Sequence, residues 1–443
     1  MTELNQTHDP KRRSWVASAN GHSDFPIQNL PIGVFSPPGS TERRGGVAIG
    51  DMVLDLAAAA EAGLFAAAAR DAAEAAAAGS LNGFFALGPE PRRALRLRLA
   101  EILDADGHDG RRAEAIAGHL LHRGADCTLH LPARVGDYTD FYVGIHHATN
   151  VGKVFRPDNP LLPNYKHVPI GYHGRASSIV PSGTAVRRPS GQTKAPDADD
   201  PTFGPCRRLD YELELGIWIG DGNDLGDPIP IAEADRHIAG FCLLNDWSAR
   251  DIQGWEYQPL GPFLAKNFAS TVSPWVVTPE ALAPFRRAQA PRPDGDPKPL
   301  PYLWDDRDQR EGALDLELEV LLLTPGLTEK GLPPHRVALS STRYMYWTVA
   351  QLVAHHSANG CNLQPGDLFG SGTISAPEAT GFGSLLESTR GGQAPIRLAS
   401  GEERRFLEDG DEVILRARTP ESGTAARIGF GACRGRIVAA APQ

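Results

Sequence analysis

YELELGIWIG, residues 211–220, sets Glu212 and Glu214 against apolar residues at every second position. A period of two is that of a β-strand, so the two carboxylates share one face while Leu213, Leu215, Ile217 and Ile219 take the other. Along a strand their Cα atoms stand roughly 6.6 Å apart. In a half-buried site both stay ionised only with a cation or basic groups between them, and oxygen-rich surroundings select Mg2+ or Ca2+ over zinc. An exposed strand face would show the same pattern. LDLELEVLL, with Asp315, Glu317 and Glu319, shows it too, so alternation alone does not decide.

Outward from this stretch most apolar runs are short. IVPSGTAVRRP, LDLELEVLLL, DEVILRART and GRIVAAA read as further strands, and TRYMYWTVAQLVAHHSANG as a helix ending in Asn-Gly. With 47 Gly and 37 Pro among 443 residues, the chain reads as mainly β, of α+β class, and its length suits two domains. IGVFS, GGVAIG and MVLDL, between Phe25 and Leu56, suggest a small barrel or folded sheet. Leu54 to Gly79, Glu90 to Leu103 and His108 to Gly124 have helical composition. These features divide the chain into a polar, flexible tail (1–21), an N-terminal domain (22–131) and a larger second domain (132–438). Gly191 to Gly204 and Pro279 to Gly312 read as Pro- and Asp-rich loops.

The formal net charge is −10, the pI is about 5.8, and no long basic stripe occurs, which disfavours nucleic acid and anionic membranes as partners. Five scattered cysteines without a C-x-x-C pair argue against a zinc site and a disulfide framework, and suit a reducing cytoplasm. The first twenty residues hold no apolar signal core. Charges at Glu61, Arg70, Asp71 and Glu74 interrupt the alanine-rich stretch from Ala57 to Ala78, so no membrane span is expected.

Polar chemistry concentrates in LLNDWSARDIQGWEYQPLGPFLAK, residues 243–266. If Asp246 enters a helical turn, then Asp246, Arg250, Gln253 and Tyr257 fall on one helix face, and an ordinary Asp246–Arg250 ion pair on a solvated helix is the plainer reading. Gly254 and the Pro259/Pro262 turn bring in Tyr257 and Lys266 by loop chemistry. DYTDFYVGIHHATNVGKVFR, residues 137–156, adds Asp140, Tyr142, His147 and Arg156. His355-His356, in a helix without accompanying carboxylates, is assigned to structure.

At this point the residues resemble a known family. DYTDFY, HATNVG, PIGYHGRASS, DYELELG, NDWSARDIQ, PLGPFL, TVSPWVV, YMYWT, SGTIS and RIGFG follow, in order, the pattern of the fumarylacetoacetase family from about Ser23 to Val438. The resemblance implies an SH3-like N-terminal barrel, a larger C-terminal mixed β-sandwich roll, a homodimer, and the hydrolase activity that ends tyrosine and phenylalanine breakdown. Carried onto this sequence, Asp140, Glu212, Glu214 and Asp246 would hold Mg2+ or Ca2+, with Lys266 and Ser270 beside it. His147 would be the base and Glu387 its partner; the HATNVG register selects His147 over His146. Tyr142, Arg156, Tyr172, Arg250, Gln253, Tyr257, Lys266 and Thr373 would hold the substrate or stabilise charge. The family usually has Thr where Ser270 stands, and a shorter N-terminal tail.

The implied substrate is a 1,3-diketo acid. Cleaving a carbon–carbon bond beside a ketone requires water attack and expulsion of a carbanion, and a chelating divalent cation meets the second need. Arg250, Gln253 and Lys266 would serve the developing oxyanion, and Arg250 and Lys266 are expected to matter more for catalysis than for folding. The competing readings are an acylpyruvate hydrolase, decarboxylase or tautomerase on the same scaffold, and a silent scaffold protein using the carboxylates for a structural cation.

Overall fold

The computed structural model describes residues 4–442. Near the N-terminus a curled six-stranded sheet forms from Ile32–Ser36, Arg44–Ile49, Met52–Asp55, Leu121–Arg123 and Thr128–Leu129, with Trp275–Val276 entering from far along the chain. Helices cover it: the expected helix from Glu90 to Leu103 forms unbroken as Pro89–Ile102, but the other two are broken. Asp55 caps Leu56–Glu61 by accepting the N–H groups of Ala57 and Ala58, and Gly63, at φ +68°, separates that helix from Ala68–Ala76. The stretch from His108 likewise divides into His108–Glu114 and Ala117–Leu120 before becoming a strand.

The expected flexible tail is a correction. Met1, Thr2 and Glu3 lie outside the described residues, but Thr7, His8, Ser14 and Val16 are buried. Arg96 donates to Thr7 Oγ1 and to the Asn29 and Gln28 carbonyls, and His8 Nε2 bonds the Glu280 carbonyl at 2.8 Å. Polar composition suggested a solvated segment; here the polar groups satisfy a buried guanidinium and distant backbone instead.

The second part centres on a seven-stranded sheet. In chain order its elements are β1 (Tyr138–Phe141), helix α1 (Ile145–Phe155), β2 (Gly171–His173), β3 (Ile179–Pro181), β4 (Leu213–Ile219) and β5 (Ile238–Asp246). Helix α2 (Arg250–Glu256), β6 (Ser270–Val272), β7 (Leu368–Gly370) and helix α3 (Leu385–Ser388) follow. The strands run β2-β1-β7-β4-β5-β6-β3 across the sheet. A five-stranded sheet, including Glu317–Leu323, Glu412–Arg418 and Gly429–Val438, packs with it around the larger core. On β4, Leu213, Leu215, Ile217 and Ile219 join that core, while Trp218 on the opposite face joins the core of the N-terminal helices. Both faces are therefore covered, and the carboxylates lie where the second face ends.

Two segments read as loops carry structure. Ser190–Thr193 and Thr202–Pro205 form a hairpin, and Asp306–Glu311 is a helix capped by Asp305. Proline and aspartate mark turns and caps as readily as long loops. In LDLELEVLL, Glu317 is exposed and pairs with Arg427, Glu319 is half-buried near Arg336 and Arg416, and Asp315 is buried against Arg287 and Arg343, so these acids are answered by arginines and form no cluster.

Candidate metal centre and catalytic site

Strand register assembles the acidic group. Leu213 lies opposite Asn245 on antiparallel β5, which sets Glu212 across from Asp246; Ser270 on β6 is the next partner of Asp246. On the other side Asp140 pairs with Gly370, and Gly370 with Gly216. Directly opposite residues share a face, so Asp140, Glu212, Glu214 and Asp246 converge, offering one oxygen each within 4.8 Å of one another. Gly370 makes this possible. A Cβ there would stand 2.6 Å from Asp140 Oδ1 and 2.8 Å from Glu214 Oε2.

Asp246 ends a strand; it does not enter a helix. Its expected i, i+4 pair with Arg250 is absent among the described contacts, because the strand-to-helix turn aims Arg250 elsewhere. Arg250 Nε donates to Asp210 Oδ2 at 2.9 Å, and Nη1 approaches Glu212 Oε1 at 2.7 Å and Gln253 Oε1 at 3.2 Å. Lys266 Nζ bridges Glu212 Oε2 at 2.6 Å and Asp246 Oδ2 at 2.5 Å. Asp246 also accepts from the Tyr172 hydroxyl at 3.0 Å and from Ser270 Oγ at 3.1 Å.

The four carboxylates are thus unequal. Burial works against a charged Glu212, but Lys266 and Arg250 hold it well below the usual carboxylate range. Burial, and then the charges of Asp140, Asp246 and Glu212, push Glu214 well above that range. Asp140 is raised by burial and then by Asp246. Asp140 Oδ1 and Glu214 Oε1 are buried and accept no hydrogen bond among the described residues. An all-oxygen donor set with two uncompensated oxygens suits a hard divalent cation, and the quartet could hold one.

His147 projects from α1, and its Nδ1 lies 2.6 Å from Glu387 Oε2. A carboxylate accepts, so the ring proton sits on Nδ1 and Nε2 is left free, 3.8 Å from Glu212 Oε1. Glu387 rides on the short helix α3, capped by Ser384. The Ser375 and Ser384 hydroxyls donate to its Oε2 at 2.8 Å, and Asn150 Nδ2 donates to Oε1 at 3.0 Å. Burial would raise Glu387, but His147 and these donors outweigh it and keep the carboxylate ionised. His146 turns its ring edge to Tyr344, 5.6 Å between centroids.

A cavity of about 350 Å3 joins these groups, lined by Tyr142, His147, Tyr172, Gln253, Lys266 and Thr373 among others. It shares Tyr142, Val151, Ile170 and Gln253 with a mostly apolar chamber of about 260 Å3. Arg156 and Tyr257 line that chamber and not the carboxylate cavity. Asp140, Glu212 and Arg250 also line the carboxylate cavity; Glu214, Asp246, Ser270 and Glu387 line neither space and adjoin the site through contacts such as Glu387 with His147 and Asp246 with Lys266. The residues that sequence reasoning passed over are Asp210, Asn150, Ser375 and Ser384. Asp210 left a signal, since the alternation of Glu212 and Glu214 extends back to it, and Asn150 and Ser375 stand inside HATNVG and SGTIS. The His pair read as structural is so placed: His356 bonds Thr139 Oγ1 at 2.8 Å and stacks on Phe369, and His355 bonds the Tyr302 hydroxyl.

Fold and site together define a β-roll protein with a buried carboxylate quartet that could hold a cation beside a paired histidine and glutamate. Residues 138–438 match the family model described as fumarylacetoacetate (FAA) hydrolase C-terminal, and residues 28–132 the one described as fumarylacetoacetase N-terminal. The chain belongs to the fumarylacetoacetase family. It is 48% identical over 421 residues to the fumarylacetoacetase of Homo sapiens, covering 94% of this chain and 97% of that one. Against that of Dictyostelium discoideum it is 49% identical over 423 residues, covering 94% and 96%. The solved fumarylacetoacetate hydrolase from psychrophilic Exiguobacterium antarcticum shares the fold, with a TM-score of 0.50 and 16% identity over 93% of this chain and 99% of that one.

Proposed function

We propose that this protein hydrolyses 4-fumarylacetoacetate to fumarate and acetoacetate, the last step of tyrosine and phenylalanine catabolism. The observation that carries the reading is the free Nε2 of His147, held by Glu387 and set in the cavity that Asp140 and Glu212 of the buried carboxylate group also line. Asp140, Glu212, Glu214 and Asp246 would hold Mg2+ or Ca2+, which would supply Lewis acidity toward a 1,3-dicarbonyl. His147 Nε2 takes a proton from water while the water oxygen bonds to the substrate carbonyl carbon, and Glu387 stabilises the imidazolium. Arg250, Gln253 and Lys266 donate to the developing oxyanion. When the tetrahedral carbon re-forms its carbonyl, the carbon–carbon bond breaks, its electron pair leaves as an enolate, and the proton held on His147 can return to that product. Tyr142, Tyr172 and Thr373 line this space, and Arg156 and Tyr257 line the apolar chamber suited to the rest of the substrate.

We also infer a homodimer. Supporting it, Leu260 (97% exposed), Phe263 (68%), Trp255 and Phe203 leave apolar surface beside the cavity. The cytoplasm is the proposed compartment: all five cysteines are unpaired, and no helix among the described residues is long and apolar enough to cross a membrane. Incubating purified protein with fumarylacetoacetate and Mg2+ tests the activity; equimolar fumarate and acetoacetate are expected. A decarboxylated or tautomerised product would move the chain to another chemistry of the scaffold, and no turnover would remove the enzyme reading.

A further inference from the structure

Asp210 is fully buried, and none of the roles above uses it. Both of its oxygens are saturated. Oδ1 accepts the backbone N–H of Leu385 at 2.7 Å and of Tyr211 at 2.9 Å; Oδ2 accepts the N–H of Leu386 at 2.9 Å and Arg250 Nε at 2.9 Å. Leu385 and Leu386 open helix α3, where backbone donors have no partner within the helix. The next residue along that helix is Glu387. From the other side, Asp210 fixes the guanidinium whose Nη1 meets Glu212 and Gln253, and whose buried Nη2 has no acceptor among the described residues. One carboxylate thus ties the element bearing the partner of His147 to the cation beside the metal quartet.

Four donors meeting two oxygens also explain why the group is an acid. An amide of the same shape offers one accepting oxygen, and its NH2 would face two further donors whichever way it turned. We propose that Asp210 is a positioning residue that holds α3 and Arg250 in one frame, so that proton removal at His147 and anion stabilisation at Arg250 act on the same carbonyl. The proposal rests on the hydrolase reading above.

The test is Asp210→Asn in the full-length, Mg2+-loaded protein. We expect kcat to fall about 100-fold, the scale of losing one oriented oxyanion donor, with KM little changed. In 15N-histidine-labelled protein well below the melting temperature, the far-downfield proton of the short His147–Glu387 bond should shift or vanish. Combined with Glu387→Gln, the Asp210→Asn variant should lose less than the product of the two single losses, because part of its effect acts through Glu387. A folded Asp210→Asn protein with wild-type resonance and kcat overturns the proposal, as does a loss that multiplies with that of Glu387→Gln. The hydrolase reading fails separately, through inactivity of the wild type, and the resonance still decides the placement of α3. Should the variant not fold, hydrogen exchange in the wild type decides: the Leu385 and Leu386 amides should be protected like those of β4, and rapid exchange overturns the clamp.

Discussion

His147 and Glu387 stand 240 positions apart and meet at 2.6 Å, so their effects on turnover should not be independent. His147→Ala and Glu387→Gln should each lose most activity, and the double variant should be scarcely worse than His147→Ala alone; a kinetic double-mutant cycle measures this. His146→Ala should keep substantial activity, because that ring packs against Tyr344. Arg250 calls for a revised expectation. The sequence suggested a catalytic cation whose loss would spare folding, but Arg250 neutralises two buried carboxylates, Asp210 and Glu212. Arg250→Ala should lower kcat/KM by about 100-fold or more and also destabilise the fold by about 3–5 kcal/mol, read by kinetics and thermal unfolding together. An unchanged melting temperature would show that water replaces the guanidinium.

Among the elements, β7 leaves no space for added volume at the site itself. It lies between β1 and β4, and its Gly370 leaves room for two carboxylates that no larger residue would leave. Gly370→Ala should therefore weaken Mg2+ binding, measured by calorimetry on chelated protein, and cost about 1–3 kcal/mol through overpacking. Unaltered affinity would mean that the strand can shift by several tenths of an ångström without disturbing the quartet. Gly372, at φ +80°, follows the end of that strand, and its N–H donates to Glu214 Oε2 at 3.0 Å. Backbone conformation and ligand placement are thus joined over three residues.

For the whole molecule, a cation held as proposed by the four clustered acids would contribute to stability as well as to turnover. Chelation should abolish activity and lower the melting temperature; saturating Mg2+ or Ca2+ at about 100 times Kd should restore about 2.7 kcal/mol. Full activity after chelation would remove the metal from the reading. A separate pH effect resides in Asp308, whose carboxyl burial pushes up to about 6. Its folded value exceeds its unfolded one, so the folded state binds the proton more tightly. The resulting stability is present below about pH 4 and lost as pH rises through about 6, on the order of 3 kcal/mol in all. Asp308→Asn should flatten that slope in unfolding measured across the interval. A slope that persists belongs to other groups.

Local sequence was enough for whatever depends on local geometry. Period-two alternation set Glu212 and Glu214 on one face, Thr348 and Gln351 form the capping box that starts Val349–Ser357, and the ordered motifs pointed to the family. Motif order also singled out His147 and Glu387, although nothing in their own neighbourhoods links them. Long-range register and packing were not legible. Asp246 became a strand end opposite Glu212, Arg250 turned from Asp246 to Asp210, and the polar N-terminal segment found its partners in Arg96 and Glu280. In each case a residue's local preference was weaker than the cost of leaving a buried charge or backbone group unpaired, and only the assembled fold determines which partner relieves that cost.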